Sequence, residues 1–147
     1  EDQMLLSIRM IIKEALAAYE TRDRKQWVLE WPGQVVICAS QVYWTNEVEE
    51  AIVNNNLQEF LLKSNEQIKD TVNLVRGKLE SGPRRTLEAL IVIDVHARDV
   101  VANLIQTNIS KTSEFIWISQ LRYYWKTQEE RLMVHMISTF EREKKRN

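Results

Sequence analysis

The chain has 147 residues, 44% of them hydrophobic and 28% charged, with 20 Lys+Arg against 21 Asp+Glu and a formal net charge of -1. That length suits one domain with a real core. The composition argues against disorder, which needs low hydrophobicity and a large net charge, and the charge balance removes the electrostatic footprint of a nucleic-acid binder. The single cysteine, Cys38, excludes an internal disulfide or a cysteine zinc site, no run of about 18 apolar residues predicts a membrane span, and Glu1-Asp2-Gln3 has the wrong sign for a signal peptide.

Three glycines and two prolines speak for long helices over a turn-rich β domain. Residues 3–19 place Leu5, Ile8, Ile12, Ala15, Leu16 and Tyr19 on one helical face. The charged stretch Thr21-Arg22-Asp23-Arg24-Lys25 breaks that stripe, and Trp27, Leu29 and Trp31 lead to Pro32-Gly33. Proline pushes Trp31 out of the helical region and suits a first turn, so a second helix is expected from Pro32 to about Asn54. Its apolar residues form two stripes (Val35, Cys38 and Val42; Ile37, Trp44, Val48 and Ala51), which predicts neighbours on more than one side. Asn56 is the expected N-cap of a third helix running from Leu57 to Leu79. Ser81-Gly82-Pro83 ends it and starts the most apolar helix, 83 to about 107. After a polar break at 108–113, with Thr112 or Ser113 as cap, a short aromatic helix holds Phe115, Trp117, Ile118, Leu121, Tyr124 and Trp125. Beyond Lys126, Leu132, Val134, Met136 and Phe140 alternate as in a strand, and the chain closes on a charged tail. The expected architecture is mainly α: an antiparallel bundle of about five helices over 1–126, a strand over 127–140 that lacks its partner, and a tail over 141–147. A lone strand is not stable, so the chain reads as a piece of something larger.

Candidate chemistry is sparse. Gly77-Lys78 has Val72 where a phosphate loop opens with glycine and Leu79 where it needs Ser or Thr, inside a helical pattern. His96 and His135 are far apart and have no third ligand at metal spacing. Asn108-Ile109-Ser110 matches a glycosylation acceptor without a secretory signal to use it. In the fourth long helix Asp94 and Arg98 fall on the apolar stripe of Leu87, Leu90, Ile91, Val101, Leu104 and Ile105, acid four residues before base. Charges in an apolar stripe need pairing, so the two are expected to pair with each other and set how the helix docks. The competing reading makes His96 and Asp99 an acid–base pair of a small hydrolase or isomerase; no nucleophile motif, metal set or oxyanion loop accompanies them, and the structural reading outweighs it.

Three stretches in register resemble one family, the dynein heavy chain. They are Trp31-Pro32-Gly33-Gln34-Val35-Val36 with Ser40-Gln41 and Trp44-Thr45; Ala89 to Val100, which contains Ile93-Asp94-Val95-His96-Ala97-Arg98-Asp99; and Phe115-Ile116-Trp117-Ile118-Ser119-Gln120-Leu121-Arg122-Tyr123-Tyr124-Trp125. Order and spacing resemble the linker just before the first AAA+ module, over roughly residues 27–138, and Tyr43 to Val48 with Ile93-Asp94-Val95 look axonemal rather than cytoplasmic. The family's chain continues into a tyrosine-rich hairpin and the AAA+ ring, where this one has Phe140 to Asn147. The resemblance implies a non-catalytic, force-transmitting segment of a microtubule motor that binds no cofactor or metal itself. It also implies the AAA+ ring of the same heavy chain as partner, other dynein subunits and microtubules as indirect ones, no nucleic acid or membrane, and a place in the cytoskeleton of the cytoplasm, in the ciliary axoneme. Trp31, Pro32, Asp94, His96, Arg98, Trp117 and Trp125 are then structural residues. The alternative is a free-standing helical module that docks a partner by its tryptophan-rich faces. Because Gly77-Lys78 lacks the rest of a phosphate loop, calorimetry of this chain with magnesium-ATP is expected to give no heat of micromolar binding; a saturable isotherm would refute that.

Overall fold

The structure, a computed structural model, describes residues 2–126 and 131–135. It contains α1 (Asp2–Thr21), α2 (Arg24–Glu30), α3 (Gly33–Asn54), α4 (Leu57–Arg76), α5 (Ser81–Gln106), the single turn α6 (Phe115–Ile118), and strands β1 (Arg122–Lys126) and β2 (Arg131–His135). The chain is mainly α, as composition and periodicity require.

The stripe of α1 buries Ile12, Ala15 and Leu16, while Ile8, expected on it, stays 45% exposed. Helix α2 was hidden by its charged leader. Asp23 is extended, and its carbonyl accepts the backbone N–H of Gln26 and Trp27, so a seven-residue helix forms and buries Trp27 and Val28. Trp31 is extended, as a residue before proline should be. The Pro32 carbonyl takes the N–H of Val36 at 3.0 Å to open α3. Gly33 lies where a Cβ would meet Thr86 Oγ1 at 2.5 Å, so its missing side chain lets the start of α3 approach α5.

Helix α3 has neighbours on several sides, contacting α1, α4, α5 and β1. Asn55 turns the chain in the left-handed region at φ 56° and Asn56 precedes α4, though without the side-chain cap expected of it. Helix α4 ends at Arg76, short of Leu79. One side chain, Arg84, gathers carbonyls at its end, donating to Val75 O at 2.5 Å and, beyond the helix, to Gly77 O at 3.1 Å and Leu79 O at 3.4 Å. Gly77 is thus part of a helix end. The cap before α6 is Glu114 in place of Thr112 or Ser113; its carboxylate accepts the N–H of Ser110 at 2.7 Å and of Lys111 at 2.9 Å. These two bonds hold the carboxyl below its usual range.

The expected aromatic helix stops after one turn, and Arg122–Lys126 is the missing partner of the strand. Two expectations fail here: that the strand is unpartnered, and that residues up to Lys126 are helical. The strands are antiparallel with Tyr123 opposite Val134, Tyr124 opposite Met133 and Trp125 opposite Leu132. Large aromatics in succession fit a pleated, half-buried surface, and cross-strand pairing overrides local helical spacing. Met136, Phe140 and the charged tail lie outside the described residues.

Two buried clusters divide the interior. One joins α1, α2, the first half of α3 and Leu87 and Leu90 of α5, with Tyr123, Trp125 and Leu132 of the hairpin against it. The other joins Val48, Ala51 and Ile52 of α3 to Leu57, Val101, Leu104, Ile109 and Trp117. Thr45 of α3, fully buried, fastens the hairpin. Its hydroxyl donates to Gln41 O at 2.9 Å and accepts the backbone N–H of Tyr123 at 3.0 Å. Thr45→Val keeps the shape and orphans that N–H. A loss of about 1–3 kcal/mol is expected in urea unfolding, with faster hydrogen exchange at the Tyr123 amide.

Candidate functional site

The side chains singled out from the sequence lie in three places. Asp94 is the first. Arg24, the first residue of α2, reaches α5 and donates from Nη2 to Asp94 Oδ2 at 3.0 Å, while its Nη1 donates to Thr71 Oγ1 of α4 at 3.3 Å. The two charged side chains are 15% and 18% exposed. One guanidinium therefore ties three helices across 47 and 70 residues of sequence. Burial raises the Asp94 carboxyl above its ordinary value, and the Arg24 charge and hydrogen bond oppose that rise without cancelling it. The expected Asp94–Arg98 pair does not form. Arg98 turns outward, 35% exposed, to Asp99 at 3.5 Å. The sequence spacing was favourable, but it weighed only partners on the same helix; a cation arriving from α2 desolvates the carboxylate and Arg98 keeps its water. Arg24 is the residue sequence reasoning missed, and its signal was Asp23-Arg24 standing four and three residues before Trp27.

Trp117 marks the second place. It is fully buried, and its Nε1 donates to Glu49 Oε1 of α3 at 3.2 Å. The Tyr124 hydroxyl donates to the same carboxylate oxygen. Burial, then the Glu49 carboxylate, push the Tyr124 phenol up to about 12. Trp117 also packs on Trp44 with ring centroids 5.5 Å apart. Glu49 was not foreseen either; it sits four residues after Thr45, which itself fell inside the buried stripe of α3. Trp125 packs with the hairpin on the first cluster, and Trp31 is half-buried against it just before Pro32.

The third place is a cavity of about 130 Å³ between α3, α5 and the segment entering β1, lined among others by Ser40, Trp44, Asp94, His96, Ala97 and Leu121. The three sequence stretches meet there. His96 is exposed at its edge. Asp99 is held by Arg98 and is not among the residues that line it, so the acid–base reading gains no shared site. Among the described residues, no helix is long and apolar enough to cross a membrane and no three metal-ligating side chains gather at one point.

No protein-family model matches the chain. It is similar to dynein axonemal heavy chain 3 of Mus musculus, 57% identical over 139 residues that make up 95% of this chain and 3% of the relative. It is 53% identical to dynein axonemal heavy chain 1 of Homo sapiens over 126 residues (85% of this chain, 3% of the relative), and 47% identical to dynein axonemal heavy chain 12 of Mus musculus over 136 residues (91% and 4%). The chain thus spans only a few hundredths of the length of the curated relatives it matches.

Breaking the Arg24–Asp94 tie gives a graded prediction. Arg24→Met leaves a buried carboxylate uncompensated and is expected to cost about 3–5 kcal/mol. Adding Asp94→Leu should recover much of that loss, and Arg98→Met should cost no more than about 1 kcal/mol. Denaturant unfolding of the four chains decides; equal losses for Arg24→Met and Arg98→Met would remove the tie from the account.

Proposed function

We propose that this chain, which belongs to the axonemal dynein heavy chains, works as the force-transmitting part of the linker just before the first AAA+ module. The observation that carries this reading is the Arg24 tie to Asp94 and Thr71. A lever has to keep its helices in fixed register under load. Packing alone resists separation but permits sliding, because apolar contact is non-directional. Directional bonds between helices resist shear, and this chain places them at both ends: Arg24 across α2, α4 and α5, and Thr45 and Glu49 of α3 against β1 and α6.

The chain's own groups perform no chemistry in this role. The whole motor hydrolyses ATP at its AAA+ ring, and the ring surface of the same heavy chain is the partner of this segment. Microtubules and other dynein subunits act on it only through the rest of the motor, in the ciliary axoneme.

The test needs the whole motor carrying this segment. Arg24→Met should slow microtubule gliding several-fold while microtubule-stimulated ATP turnover falls by less than half, since the nucleotide sites are elsewhere. Arg98→Met should leave both unchanged. Gliding and turnover that fall in proportion, or neither falling, would overturn the force-transmitting role.

A further inference from the structure

The turn from α4 into α5 gathers like charges. Arg84 of α5 folds back over it, and its Nη2 donates to Gly77 O at 3.1 Å and Leu79 O at 3.4 Å. The guanidinium is thereby fixed beside the residue that separates Arg76 from Lys78, both exposed, and exposed Arg85 follows it in α5. Residues 76–87 hold these four cations against one carboxylate, Glu80, a local charge of +3 on a chain whose total is -1. None of the four has an ion-pair partner among the described residues. Arg22, Arg24, Lys25 and Lys63, by contrast, each hold a carboxylate within 3.5 Å. Two helix dipoles add to the field: Gly33 packs against Thr86, so α3 starts beside the first turns of α5, and neither helix has an acidic residue in its first turn. Like charges held together repel, and an incoming anion relieves the repulsion.

We propose that this basic turn docks a short acidic stretch of a partner protein, a run of successive carboxylates that meets the four cations. The chemistry of the turn decides among anionic partners. A membrane surface needs apolar side chains beside the cations, and residues 76–87 expose no large hydrophobic; Leu79 and Leu87 turn inward to the first cluster. A nucleic acid needs a longer basic track or aromatic platforms. Residues 76–87 contain no aromatic, and beyond Arg85 the exposed face of α5 becomes acidic at Glu88. An acidic peptide requires neither. Arg84, already held by backbone carbonyls, loses little side-chain freedom on meeting it. The docking is independent of the mechanical role.

Amide NMR of the full 147-residue chain tests it. The probes are hexaglutamate and hexaglutamine peptides, alike in length but differing in charge. Hexaglutamate at millimolar concentration should shift the Gly77 amide saturably. Raising salt from about 20 to about 200 mM should weaken that binding on the order of ten-fold, as the screening length shortens. Lys78→Glu together with Arg85→Glu should abolish the shift; both side chains are exposed, so the fold is kept. Lys111→Glu, an exposed cation in another loop, should bind as the parent does. Hexaglutamine should leave the Gly77 amide unmoved. No saturable shift with hexaglutamate, an equal response to hexaglutamine, or binding unchanged by the double reversal would each overturn the proposal. Tighter binding of hexathymidylate or of phosphatidylserine vesicles than of hexaglutamate would overturn it in favour of a nucleic acid or a membrane.

Discussion

A helix surrounded by its own protein can carry polar groups inward only where partners wait for them, and α3 is such a helix. It touches α1, α4, α5 and β1, and Thr45 and Glu49 on its inner faces are the polar points at which the C-terminal hairpin and α6 are held. Strands β1 and β2 need such holding, because a two-stranded hairpin is marginal by itself, and Tyr123, Trp125 and Leu132 add apolar contact with the first cluster. Where α3 has no direct reach, Arg24 supplies the same kind of bond from α2 to α4 and α5. The interior is thus two apolar clusters joined by a few directional contacts.

Most of the helical architecture was legible in the sequence because its signals are local. Pro32 and the Asn54-Asn55-Asn56 run mark boundaries that the backbone obeys, and the stripes of α1 and α5 supply much of the core; in α3 Val35, Val42, Val48 and Ala51 are buried as read, while Val36, Ala39 and Ile52 join them unforeseen. The two largest errors share a cause: each depended on contacts distant in sequence. The aromatic run 122–126 has helical spacing, yet β2 and Thr45 pull it into a strand. Asp94 has a well-spaced base at Arg98, yet its partner comes from 70 residues away. Periodicity describes one element's face and is silent about which foreign side chain will meet it.

The residues that carry the family resemblance are largely those that hold the elements together. Pro32 starts α3, Asp94 receives Arg24, and Trp117 shares Glu49 with Tyr124. Such joints between elements suit a segment whose work is proposed to be mechanical. Trp44, of the same stretches, packs against Trp117.

Glu49 also bears on how the molecule assembles. Its contacts with Trp117 and Tyr124 span 68 and 75 residues, whereas Lys63 reaches Glu47 across 16. Bringing distant segments together costs chain entropy that grows with the loop closed, and contacts of long range slow folding. The pairing of α3 with α4 is local by comparison. Arg24 and Asp94 are 70 residues apart, so the long-range joints at both ends of the bundle, and not the hairpin alone, are expected to be the late steps of assembly.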